Sequence, residues 1–161
     1  MKKRKEITIA SAVDEMYLVE GFVEQISDEY LLGDNYFGNM MVAVTEAVKN
    51  AIEHGNGGDK AKRIVIRLEA DKEGLWISVT DQGEGFDSEK YVGREIFMSK
   101  ELKAGGLALI NALADEVRFR ENGRIIGMLF RITGIEERII EQRQNLMARF
   151  FQVSQPEKKH N

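Results

Sequence analysis

The sequence predicts an α+β fold in two layers, a mixed and mostly antiparallel sheet covered on one face by helices, followed by a C-terminal helix. Three observations predict it. The elements run strand, helix, helix, hairpin, long loop, helix, hairpin, helix. The strands alternate apolar and polar residues, which argues against a doubly wound parallel sheet buried on both faces. Two strand pairs are joined by links short enough only for hairpins. A sheet with one apolar face is completed by one layer of helices.

Taken in order, Glu6–Ile9 reads as a short first strand. Ser11 offers an N-cap, with Asp14 three residues on as a box-like partner. Val13, Met16, Val19, Phe22, Val23 and Ile26 recur at helical spacing, so a helix is expected over about 12–28. Gly33 breaks the chain, and Asp34 can cap a helix from about Asn35 to His54 with Gly55 as its C′ residue. Its apolar face is Met40, Met41, Val44, Ala47, Val48, Ala51 and Ile52; Glu46, Lys49, Asn50 and Glu53 centre the other. Arg63–Glu69 and Leu75–Asp81 alternate and are linked by Asp71-Lys72-Glu73-Gly74, a hairpin. Residues 82–104 are irregular and mostly polar. Leu107, Ile110, Leu113, Ala114 and Val117 predict a helix over about 106–116. Val117–Arg120 and Arg124–Thr133 flank Asn122-Gly123, a type I′ turn signal. A last helix is expected from about Ile135 to Val153, ahead of a polar tail. The domain reading is therefore 1–133 as the main unit, 134–154 as a separate helix and 155–161 as a disordered tail.

The totals exclude several classes of function. The 161 residues suffice for one domain with a real core. A net charge of −4 offers no general field for nucleic acid, and the basic run Lys2-Lys3-Arg4-Lys5 reads as a solvated terminus. No apolar segment has membrane-spanning length, and no h-region follows the basic start. With no cysteine there is no disulfide or thiolate chemistry, which fits a cytoplasmic protein. Two histidines and no cysteine make a zinc site improbable.

Three stretches carry chemistry. Glu46 and Asn50, in Thr45–Asn56, stand one turn apart on one helix face. Asp81-Gln82-Gly83-Glu84-Gly85 closes the second strand of the first hairpin. In the plain reading its glycines make a tight turn and Asp81 caps a loop amide. In the functional reading Asp81 accepts a hydrogen bond from an exocyclic amine, and Gly83 and Gly85 let a flat base approach the backbone. Ala104-Gly105-Gly106-Leu107 opens a helix, where free N–H groups and the helix dipole favour phosphate.

In that order the three stretches resemble the ATP-binding fold of the GHKL (Bergerat) superfamily, and within it the bacterial anti-sigma factor serine kinases. Thr45–Gly55 is similar to the family's N-box, Asp81–Asp87 to its first glycine box and Gly105–Val117 to its second. The resemblance spans nearly all of the chain to about residue 133. It implies ATP and Mg²⁺ as cofactors. It implies that Asn50 coordinates the metal, that Glu46 is the base that accepts a serine or water proton, and that Asp81, Gly83 and Gly85 recognise adenine. It implies phosphate contacts from Gly105 and Gly106 and a lid over 87–104, with Lys100 and Lys103 as candidate phosphate ligands. A sigma factor and a STAS-type antagonist are the implied protein partners. Two departures matter: Ala104 stands where the second box more often has glycine, and Met128 follows Gly127 where many members have threonine. These favour a second expectation, a non-catalytic nucleotide-gated binding module of the same fold; Glu46 favours the kinase.

The remaining candidates read plainly. His54 is a cation near a helix C-terminus. Trp76 belongs to core or sheet surface, and Lys62, Arg63 and Arg67 to a solvated strand face. In the last helix, Ile139, Leu146, Phe150 and Val153 suggest a seam interrupted by Arg143. Packing on the protein's own sheet and a homodimer or partner contact are both open expectations for it.

Overall fold

The computed structural model describes residues 2–85, 106–132 and 135–154. Its strands are β1 (Lys3–Ala10), β2 (Arg63–Ala70), β3 (Leu75–Thr80), β4 (Glu116–Arg120) and β5 (Ile125–Phe130), in the sheet order β1-β2-β3-β5-β4. Every pair is antiparallel, so the described sheet is antiparallel throughout rather than mixed. The helices are α1 (Met16–Tyr30), α2 (Asp34–Asn50), α3 (Leu107–Leu113) and α4 (Ile135–Ser154).

Period-two alternation in the strands puts Ile9, Ile64, Ile66, Leu68, Leu75, Ile77, Val79, Ile126 and Met128 on one face, all buried. The apolar stripes of α1 (Val19, Phe22, Val23, Ile26) and α2 (Met40, Ala43, Val44, Ala47, Val48) close over them, joined by Leu107 and Ile110 of α3. Among the described residues the opposite face of the sheet carries no such helix layer. There Arg118 lies over the Trp76 ring at 4.7 Å and the Arg67 guanidinium donates to Glu6 at 2.7 Å.

Several boundaries move for physical reasons. The basic run is not a loose terminus: Lys3–Lys5 extend β1 along the full length of β2, Lys3 opposite Ala70, and Lys5 pairs with Glu29. Lysines on an edge strand also discourage pairing with other chains. Ser11 and Asp14 do not cap α1; the chain makes a 3₁₀ turn over Val13–Glu15, which leaves Val13 exposed, and Glu15 accepts the Ala10 N–H at 2.6 Å instead. Gly33, not Asp34, occupies the N-cap of α2. The second hairpin turns through four residues rather than two. Glu121, Asn122 and Gly123 all have positive φ, making two overlapping turns closed by Gly123 N–H to Arg120 O (3.1 Å) and Arg124 N–H to Glu121 O (3.2 Å).

The most consequential change is at the end of α2. The expected straight run to His54 becomes a single π-helical turn over Ala51–Gly55, with Asn56 N–H donating to Ala51 O at 2.7 Å. Such turns widen a helix by one residue and are frequent at functional sites. Gly55 therefore sits inside the turn rather than beyond it.

Candidate nucleotide-binding site

The end of α2, the π turn, the Asp81 turn, the start of α3 and the β4–β5 turn enclose one cavity of ≈ 530 Å³, within the range that holds small-molecule ligands. Ala47, Ala51, Val79, Leu107, Phe119 and Ile126 give it apolar walls; Asn50, from α2, and Asp81, after β3, supply polar groups, and Gly85 borders it.

Asp81 arrives there because β3 ends at Thr80 and its N–H is tied to Arg124 O at 3.0 Å. Its carboxylate accepts the Gly83 N–H at 2.8 Å. Gly55 and Gly83 pack against this turn so closely that a β-carbon at Gly55 would overlap the Asp81 carboxylate and one at Gly83 would overlap Gly55 O. Desolvation by burial raises the Asp81 pKa; the Gly83 N–H, Arg124 and Lys62 oppose that without cancelling it. Gly83→Ala is accordingly expected to lower stability by about 1–3 kcal/mol, the usual cost of overpacking, read as a lower melting temperature.

Asn50 and Glu46 do not face water together as the helix pattern alone allowed. Asn50 lines the cavity, and its Nδ2 is buried with no partner among the described residues. Ser11 Oγ and Tyr30 Oη share that condition, but neither borders the cavity. An amide kept uncommitted at a cavity wall is a ready ligand for a polar guest. Glu46 is not among the cavity walls. It lies beside the start of α3, where a β-carbon at Gly106 would sit 2.6 Å from Glu46 Oε2, and Lys49 faces it at 3.5 Å. Gly106 is left-handed, φ 77°, at the N-cap of α3. Gly85, φ 77°, lies flush against Asn122 O of the β4–β5 turn. Lys100, Lys103, Gly105, Ala104 and the expected lid lie outside the described residues.

Sequence reasoning missed three contributors. Lys62, read as part of a solvated strand face, and Arg124, in the distant hairpin, both border the cavity and bias Asp81 toward its charged form. Asn56 is almost fully buried, at 2% exposure, and bonds the Asp81 turn. Arg124 is placed by the non-local pairing of β3 with β5, which sets Thr80 opposite Ile125; Lys62 is placed by the β2–β3 pairing and Asn56 by the π turn, and none of these placements is written in a local pattern. His54 borders the cavity too, though it is exposed.

The antiparallel sheet with helices on one face and an apolar cavity with a few polar groups at the helix layer define an α+β two-layer fold with a ligand-sized pocket. Residues 9–130 match the model of the histidine kinase-like ATPase domain, and the chain belongs to that family. It is 33% identical over 98 residues to the serine-protein kinase RsbW of Bacillus licheniformis, covering 56% of this chain and 61% of that protein. It is 29% identical over 106 residues to the RsbW of Oceanobacillus iheyensis, covering 62% and 67%. The chain thus spans about two thirds of the length of these relatives. The crystal structure of the RsbU and RsbW domains of a Mycobacterium tuberculosis protein superposes with a TM-score of 0.55 at 21% identity, over 78% of this chain and 30% of that one. That likeness establishes a shared fold. The protein is therefore a GHKL-type ATPase domain resembling the anti-sigma factor kinases, and the family implies ATP as its ligand.

Proposed function

We propose that the protein is an ATP-binding anti-sigma regulatory factor that phosphorylates a serine of a STAS-type antagonist and, in alternation, sequesters a sigma factor in the cytoplasm. The observation that carries the nucleotide part is the convergence of an uncommitted Asn50 amide and a desolvated Asp81 carboxylate on one cavity. The partners are inferred from the likeness to RsbW.

In this reading Asp81 accepts the adenine amine while the apolar walls exclude water from the base. Gly85 keeps the neighbouring backbone free of side chains. Asn50 serves the phosphate end: its oxygen is a hard ligand for Mg²⁺ and its N–H donates to a phosphate oxygen. Bound Mg²⁺ supplies neutralisation of phosphate charge. Gly105, Gly106, Lys100 and Lys103 complete the phosphate cradle. Glu46, beside Gly106, accepts the proton of the serine hydroxyl as its oxygen bonds to the γ-phosphorus. The bond to the β–γ bridging oxygen breaks, and ADP leaves with that electron pair. Isothermal titration with MgATP and MgADP tests the site: micromolar binding supports it, and no heat with either nucleotide removes it.

A second reading keeps the nucleotide and drops the transfer. It is favoured by Met128, which is fully buried opposite Ile77 and Val117 and so serves the core where many relatives carry a hydroxyl. Saturable ATP binding with no phosphoserine on any STAS-type antagonist would select it.

Residues 1–133 form the nucleotide unit in this proposal, and α4 is an added interaction element. Every side chain described in α4 is exposed, including Leu146, Met147, Phe150 and Phe151, which favours an interface over packing on the protein's own sheet. An apolar stripe of that kind marks an interface, here with a second copy. Truncation after Gly134 is expected to convert a dimer to a monomer by light scattering; a full-length chain already monomeric ends the dimer reading.

A further inference from the structure

Asn56 makes a set of contacts that the proposed chemistry does not use directly. Its Oδ1 accepts the Gln82 N–H at 2.8 Å, and its Nδ2 donates to Arg63 O at 3.2 Å. Gln82 Oε1 in turn accepts the Arg63 N–H at 2.7 Å. The three residues thus close a ring of hydrogen bonds joining the π turn, the first residue of β2 and the residue after Asp81. The amide orientation is dictated by chemistry, because only the oxygen can accept from a backbone N–H. The Asn56 backbone is occupied as well, donating to Ala51 O and accepting from Asp59 N–H at 3.1 Å.

We propose, on the reading that this cavity binds ATP, that Asn56 is a positioning residue that sets selectivity for the 6-amino group of the base. It acts by holding the Asp81–Gly83 turn hard against Gly55. The turn has few other restraints on that side: Gly83 has no side chain, and Gly55 touches Asp81 only because it also lacks one. Without Asn56 the Gln82 N–H loses its partner, the turn opens toward water, and the Asp81 carboxylate leaves the place where a purine amine would meet it. The phosphate end, built from Asn50 and the start of α3, is left intact. Selectivity between bases and overall affinity are therefore separable, and a buried acceptor aimed at one group is what makes such selectivity steep.

The test measures binding of ATP and of purine riboside triphosphate, which lacks the exocyclic amine, to the wild type, Asn56→Ala and Gln82→Pro. The wild type is expected to prefer ATP by roughly tenfold to a hundredfold, the worth of one charged hydrogen bond. In Asn56→Ala that ratio should fall to near one while purine riboside triphosphate binds about as before. The acid limb of ATP binding should also move to lower pH, because a solvated Asp81 loses the desolvation that raises its pKa. A folded Asn56→Ala that keeps both the ratio and the acid limb overturns the proposal. Should Asn56→Ala fail to fold, Gln82→Pro at this exposed position carries the test: it removes the backbone N–H that Asn56 Oδ1 accepts, and an unchanged ratio in the folded variant overturns the proposal equally. A wild type that binds neither nucleotide rejects the ATP reading itself, whereas a selective wild type with an equally selective variant rejects only the role of Asn56.

Discussion

Asp81→Asn is expected to weaken ATP binding by about a hundredfold or more while raising the melting temperature of the free protein. The two effects share one cause. A site built to accept a hydrogen bond from an amine loses that factor when the acceptor becomes an amide presenting N–H groups. The same substitution removes a carboxylate whose desolvation outweighs its favourable partners, the Gly83 N–H, Arg124 and Lys62. The sign follows from linkage. The folded-state pKa is raised, so the folded protein holds the Asp81 proton more tightly than the unfolded chain does. The protonated group contributes stability below the ordinary aspartate range, and this is lost as pH rises through the raised value. At neutral pH the charge is a cost, and asparagine relieves it; at pH well below the raised pKa the difference between variant and wild type should vanish. ATP affinity of the wild type should fall along the same limb on acidification, and the limb should be absent in Asp81→Asn. Calorimetry and thermal melts between neutral pH and the aspartate range check both halves. A variant that binds ATP normally would refute the adenine assignment.

Glu46→Gln is expected to bind MgATP within a few-fold of the wild type and to lose phosphoryl transfer by about 10²–10⁴-fold, the usual worth of a positioned base. Its position makes this separation clean. Glu46 is not a wall of the cavity; it stands beside Gly106 at the start of α3, one helical turn from Asn50. Glutamine preserves its volume against Gly106 while removing the capacity to take a proton, along with the exposed ion pair to Lys49, which contributes little. Single-turnover phosphorylation of a serine on a STAS-type antagonist is the measurement. Transfer at the wild-type rate in Glu46→Gln would remove the base from the mechanism, and a parallel loss of ATP binding would mean that the residue supports the fold of the site instead.

The contrast between these residues and the ones that escaped notice is instructive. Glu46 and Asn50 were legible because helical spacing of four is a local property. Asp81 was legible because a polar residue closing an alternating strand before Gly-x-Gly is also local. Lys62 and Arg124 carry no comparable mark. Arg124 reaches the cavity only when β3 pairs with β5, and Lys62 when β2 pairs with β3 and sets Val65 opposite Thr80; composition reads both as ordinary surface cations. Asn56 was unmarked for a related reason: an asparagine before two glycines is the signature of a loose loop, and only packing turns it into the buried centre of a ring. The caps at Ser11 and Asp34 failed because the 3₁₀ turn after β1 moves the start of α1 from about 12 to Met16 and the extended Gly33 moves that of α2 from Asn35 to Asp34, shifts that local preference does not resolve.

What the order of residues settled by itself was the alternation of the strands, the stripes of α1 and α2, the hairpin links and hence a sheet covered on one face, because each depends on neighbours within one or two turns of chain; that every described strand pair is antiparallel came only from the fold. What only the folded molecule decided was the π turn at Ala51–Gly55, the closing of a cavity between α2, β3 and the β4–β5 turn, and the burial that raises the Asp81 pKa. Those depend on groups far apart in sequence sharing one volume from which water has been excluded, and desolvation is a property of that volume rather than of any stretch of chain.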